Sequence, residues 1–126
     1  MSLAKASVGQ ILVPVKNLEQ AVAFYRDVLG LPFLFAAPPQ MAFFMCGSVR
    51  LLLGVPEKGL SAENGSAIYF RVEDIGKTAA ALKEKGVSFR LEPHPVHRTA
   101  LSILWLAEFD DPDGNHLALM SEVSLS

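Results

Sequence analysis

The chain has 126 residues, 51% of them hydrophobic and 19% charged, which excludes a disordered chain and suits one compact domain. At this length roughly two-thirds of the surface exposed by the unfolded chain can be buried, so a core forms without staples. A net charge of −2 with no basic run gives no support for a nucleic-acid partner, and the single cysteine, Cys46, excludes an internal disulfide and a CxxC-type zinc site.

Gln10 to Val15 is apolar with β-branched members and reads as a first strand. Asn17 offers a side-chain oxygen as a helix N-cap, and Gln20 sits three residues on, as a capping box requires. Leu18, Val22, Tyr25 and Leu29 follow at helical spacing, and Gly30 supplies the stop. Three strand-like runs come next, Leu31 to Ala36, Met41 to Cys46 and Val49 to Val55, punctuated by Pro38-Pro39 and Gly47-Ser48. The longest uncharged stretch, Val28 to Val49, lies here, but its prolines and glycines would break a spanning helix, so no membrane is expected. Met1-Ser2-Leu3 lacks the basic-then-apolar order of a secretory signal. With one cysteine, this makes a reducing, cytoplasmic setting the expectation.

The pattern then restarts. Ala67 to Val72 reads as a strand, Asp74 as a cap, and Ile75, Ala79 and Leu82 as a helical stripe ending at Gly86. Val87 to Leu91, Leu101 to Phe109 and His116 to Met120 read as three more strands, with Asp111-Pro112-Asp113-Gly114 as the last turn. Val15-Lys16-Asn17-Leu18 matches Val72-Glu73-Asp74-Ile75. With one residue deleted within the helix, Gly30-Leu31-Pro32-Phe33 matches Gly86-Val87-Ser88-Phe89, and Gly47 matches Gly114. The expected fold is therefore α+β: a single domain of residues 1–126 made of two tandem βαβββ modules, about 8–56 and 67–122, joined by a linker over 57–66. The modules should form a curved, cup-shaped mixed sheet with helices on its outer face.

The stretch from Leu18 to Leu31, with Phe24-Tyr25 ahead of Leu29-Gly30, and the stretch Phe109-Asp110-Asp111-Pro112-Asp113-Gly114-Asn115 carry a resemblance. In this order and spacing they resemble the vicinal oxygen chelate superfamily, the glyoxalase/bleomycin-resistance/dioxygenase group, over about residues 8 to 122. Both elements also have plain structural roles, in helix packing and turn geometry. The acidic trio Asp110, Asp111 and Asp113 lacks the ligand count and spacing of a calcium loop.

The resemblance implies a divalent metal in catalytic members, held from the first and fourth strands of each module and polarising a substrate with adjacent oxygens. Counting along the motifs puts those positions on Gln10, Leu51, Ala67 and Ala118. Only Gln10 carries a ligand atom, and one neutral oxygen does not hold a divalent ion. No metal and no other cofactor is expected. His94 and His97 are three apart beside Pro93 and Pro95. A strand would turn them to opposite sides, so a secondary site there would need a turn.

Strand alternation gives the expected cup lining: Gln10, Leu12 and Pro14, then Val49, Leu51 and Leu53, then Ala67, Tyr69 and Arg71, then His116, Ala118 and Met120. Ile11, Val13 and Val15 should pack on helices. Phe35, Phe43, Met45, Trp105 and Phe109 are further candidates. The expected ligand-binding residues are Gln10, Leu12, Leu51, Tyr69, Arg71, Trp105, His116 and Ala118. Apolar walls with a few polar groups suit a small organic molecule, apolar or aromatic and anionic if Arg71 holds a carboxylate or phosphate. Arg71 could instead pair with Glu73, Glu108 or Asp110. His116 reads either as a rim histidine or as a proton-transfer group. Cys46 reads as an inert thiol.

The reading favoured by these residues is a metal-free binding module that pairs as a homodimer. The alternatives are a metal-dependent lyase, isomerase or dioxygenase of the same superfamily, or a non-catalytic partner domain whose cup is filled by its own side chains.

Overall fold

The computed structural model describes residues 4–5, 7–37, 40–55 and 66–125. The chain divides into two compact units, Met1–Glu63 and Asn64–Ser126. All of the expected linker except Ser66 lies outside the described residues, as does the Pro38-Pro39 turn.

The first unit runs β1 (Gln10–Pro14), α1 (Leu18–Ala23), a π-helical turn (Phe24–Val28), β2 (Phe33–Ala37), β3 (Met41–Cys46) and β4 (Val49–Gly54). Its sheet order is β1-β4-β3-β2, with β1 parallel to β4 and the other pairs antiparallel. The second unit repeats the plan: β5 (Ile68–Arg71), α2 (Ile75–Glu84), β6 (Phe89–Arg98), β7 (Ser102–Asp110) and β8 (His116–Ser124), in the order β5-β8-β7-β6 with β5 parallel to β8. The expected duplication is present as two tandem βαβββ modules, each with a four-stranded mixed sheet. A helical crossover is what lets the first strand of each module run parallel to its neighbour.

The matched residues do matched work. Asn17 is extended and its Oδ1 accepts from the Gln20 N–H at 2.9 Å. Asp74 is likewise extended, and its Oδ1 accepts from the Lys77 N–H at 3.0 Å. The left-handed residues among those described are Gly30, Gly47, Gly86 and Gly114, the two pairs that the duplication aligns. A side chain at these positions would strain the backbone.

The odd residue of the first helix also has a physical place. Gly30 follows Asn17 by thirteen positions, whereas Gly86 follows Asp74 by twelve. The first helix absorbs the difference by widening to a π turn, in which the Leu29 N–H reaches back five residues to the Phe24 carbonyl at 2.9 Å. The turn carries Tyr25, fully buried, with its ring centroid 6.1 Å from that of Phe44.

Each sheet has one face covered by its own helix. In the first unit Val13, Ala42, Phe44, Leu51 and Leu53 are buried there with Ala21 and Tyr25. In the second, Ala107, Phe109, Leu117 and Leu119 are buried with Ile75, Ala79 and Leu82.

Two strands outrun the sequence expectation. β8 continues to Ser124, and β6 runs through Pro93 and Pro95 to Arg98. Proline gives no N–H to a ladder, but β6 is an edge strand and its register shifts three times. Asp111 explains the last turn. It is buried, and its Oδ1 accepts from the N–H groups of Asp113 and Asn115 at 2.9 and 2.8 Å, while Oδ2 accepts from Asn115 Nδ2 at 2.8 Å. Its carboxylate is engaged by the turn itself.

Candidate functional site

The uncovered face of each sheet follows from pairing, because residues opposite one another across a ladder point to the same side. In the first sheet one row runs Gln10, Arg50, Met45. The next runs Leu12, Leu52, Phe43, Phe35. Leu12 is 61% exposed and Phe35 49%. The Phe35 and Phe43 rings stack with centroids 4.5 Å apart and planes at 27°. Arg50 lies over Phe43, 5.2 Å from its centroid, and donates from Nε to Gln10 Oε1 at 2.9 Å.

This arrangement corrects the expectation for β4. Leu51 pairs with Ile11 and Phe44 and is buried beneath the helix, as is Leu53, and Val49 shares their side. The cause is turn length. Only Gly47 and Ser48 separate Cys46 from its partner Val49, whereas Asp111 to Asn115 separate Asp110 from His116. The count from the matched glycines is thereby one residue out, and a one-residue slip turns a whole strand over. Leu12 pairs with Leu52 as Tyr69 pairs with Ala118, so Leu52 is the true counterpart of Ala118. It too is hydrocarbon.

On the uncovered side of the second sheet, Tyr69, Ala118 and Glu108 form one row, and Arg71, Met120 and Leu106 the next. Ala118 is 1% exposed and Tyr69 49%. Arg71 pairs with Glu122, Nη1 to Oε1 at 2.7 Å, rather than with Glu73, Glu108 or Asp110. Both groups are largely exposed, so the pair contributes little.

Beside them, Arg90 donates from Nη1 to Glu108 Oε1 and from Nε to Asp110 Oδ1, each at 3.0 Å. His116 Nδ1 lies 2.8 Å from Asp110 Oδ1 and 3.2 Å from Arg90 Nη2. A ring protonated at Nδ1 donates to Asp110. A ring protonated only at Nε2 accepts from Arg90.

Trp105 and Phe109 are further corrections. Trp105 pairs with Ser121 and lines a hollow of about 460 Å³ with Asp74, Ile75 and Val123, on the side of α2. Phe109 is fully buried there. His94 pairs with Leu106 and His97 with Leu104, because the register shift between Pro95 and His97 restores both to one side. His94 Nδ1 donates to the Glu92 carbonyl at 2.7 Å. Among the described residues, no group of three or more His, Cys, Asp or Glu is placed to hold a metal ion. Burial pushes the Cys46 thiol above its ordinary pKa, which disfavours the nucleophilic thiolate.

Sequence reasoning missed Arg50, Arg90 and Glu122. Arg50 was legible only through the pairing of β1 with β4, and Arg90 only through the shifted register of β6. No helix among the described residues is long and apolar enough to cross a membrane.

Comparison with known proteins adds family and fold. Residues 7–119 match the model of the Glyoxalase/Bleomycin resistance protein/Dioxygenase superfamily. The chain is 32% identical over 119 residues to protein YraH of Bacillus subtilis, covering 84% of this chain and 91% of that one. A crystal structure of a superfamily member from Sphaerobacter thermophilus is 25% identical, with a TM-score of 0.77 over 93% of this chain and 98% of the other. TnmS3, an antibiotic binding protein from a Streptomyces species, is also 25% identical, with a TM-score of 0.74 over 96% and 99%.

Proposed function

The chain belongs to the Glyoxalase/Bleomycin resistance protein/Dioxygenase superfamily, and on that premise we propose that it binds a small apolar or aromatic organic molecule on its uncovered sheet faces, without a divalent metal. The observation that carries this reading is the chemistry at the four ligand positions. After correction of the β4 register they hold Gln10, Leu52, Ala67 and Ala118. Three of these have no donor atom, and the Gln10 oxygen already accepts from Arg50. These residues do not fit a divalent ion, which needs several hard oxygen or imidazole ligands.

What the faces do offer suits an organic ligand. In the first unit Leu12 and Phe35 are accessible apolar surface, with Gln10 as a polar group on the same sheet face; in the second, Tyr69 is exposed, with Arg71 and His116 on its own face. TnmS3, of similar fold, supports the same direction, since it is an antibiotic binding protein. Exposed apolar sheet faces and a lone cysteine support the further reading of a cytoplasmic homodimer.

The test combines two measurements. Elemental analysis of purified protein is expected to find far less than one divalent ion per chain, and a thermal-shift screen of aromatic and amphipathic compounds is expected to find stabilising ligands. One tightly held ion per chain would replace this reading with a metal-dependent enzyme. A blank screen would leave a non-binding partner domain.

A further inference from the structure

We propose that Arg50 is an anion receptor and that the ligand of the first unit is a flat aromatic carboxylate. This rests on the binding reading above and names its ligand class. Arg26, Arg71, Lys83 and Arg90 each have a carboxylate partner, in Asp27, Glu122, Glu92, and Glu108 with Asp110. Arg50 has none within salt-bridge distance among the described residues. Its Nε is engaged by a neutral oxygen, that of Gln10, and its guanidinium lies on the Phe43 ring.

Those two contacts orient the fork without neutralising it. The Gln10 bond uses the inner edge, so Nη1 and Nη2 remain as a parallel pair of donors with no partner among the described residues. Two parallel N–H groups at the end of an arginine match the two oxygens of a carboxylate. Stacking on Phe43 removes rotamer freedom from the side chain before any ligand arrives, so less ordering is needed on binding.

The apolar surroundings select what carries the carboxylate. Leu12, Leu52, Phe43 and Phe35 lie in one row across four strands, a strip about 14 Å long at the ordinary strand spacing. Phe35 and Phe43 already stack, and the exposed Phe35 ring offers a platform for another flat ring. Arg50 stands in the neighbouring row on the same face of the sheet, and its outer edge is where the carboxylate of a ring laid on this strip is proposed to sit. A bare inorganic anion would leave the strip unused, and a neutral aromatic would leave the charge unmet.

Isothermal titration with 2-naphthoate and its neutral amide, 2-naphthamide, tests this on the full chain. The acid is expected to bind at least about tenfold more tightly than the amide, the size of effect a charge-assisted pair produces. Arg50→Met should remove that preference and leave the amide affinity in place, with an unchanged melting temperature showing that the fold persists. Arg50→Lys should recover part of it, since charge returns without the fork. Equal affinity for acid and amide, or an undiminished preference in Arg50→Met, would overturn the role of Arg50 while leaving aromatic binding intact. Binding of neither compound at millimolar concentration would sink this inference, and the wider reading falls only if the broad ligand screen is also blank.

Discussion

Gln10 and Arg50 stand opposite each other on parallel neighbours, and the Gln10 side-chain oxygen accepts from Arg50 Nε at 2.9 Å. The residue at the first expected ligand position is thus committed to an arginine. An uncompensated guanidinium is also a poor neighbour for a divalent cation, because like charges repel.

Gln10→Ala should therefore weaken ligand binding more than stability. The bond is exposed, and its loss is expected to cost under about 1 kcal/mol in chemical denaturation. Freed from Gln10, Arg50 should lose its fixed orientation. The preference for 2-naphthoate over 2-naphthamide should fall several-fold, as read by titration.

Adjacent leucines in β4 provide a direct check on the corrected register. Leu51 is buried against Phe44, so Leu51→Ala is expected to cost about 3 kcal/mol, in the range for emptied core sites. Leu52 points to the uncovered side, and Leu52→Ala should cost about 1 kcal/mol or less. Urea denaturation of the two variants would show the reverse order if the count from Gly47 were right.

Asp111 should behave as a structural carboxylate rather than a calcium ligand. Asp111→Ala strands two backbone N–H groups and the Asn115 amide, and is expected to cost about 3 kcal/mol. Added calcium should leave the melting temperature of the unaltered protein where it was. A calcium-dependent rise would assign the turn a binding role.

The raised pKa of Cys46 predicts the sign of an alkaline effect. Burial disfavours the thiolate in the folded chain, so the unfolded chain loses its proton first as pH rises. The contribution of Cys46 is fully present below the unfolded-state pKa, near 8.5, and is lost as pH rises through the folded value. The stability difference between the unaltered protein and Cys46→Ala should accordingly move against the thiol as pH rises above about 8.5. A thiol reagent should react slowly at neutral pH, and fast labelling of folded protein would contradict the assignment.

Local chemistry made much of the fold legible in the sequence. Caps, stops and turns act over three to five residues, so Asn17, Asp74 and the glycine pairs announced both helices and the duplication before any contact was known. Which residues of β1 and of β5 share one side of their strand was legible too, because each strand is tied to a helix cap a few positions on. What the tertiary structure alone decided was which side β4 presents, how far β6 runs, and which side chains pair. Strand residues change sides every position, so a tight turn at Gly47-Ser48 was enough to exchange Leu51 for Arg50 and Leu52 on the uncovered face. The pairings of Arg50 with Gln10, Arg71 with Glu122 and Arg90 with Asp110 join residues 20 to 51 positions apart. Such partners are set by ladder register, which no local pattern encodes.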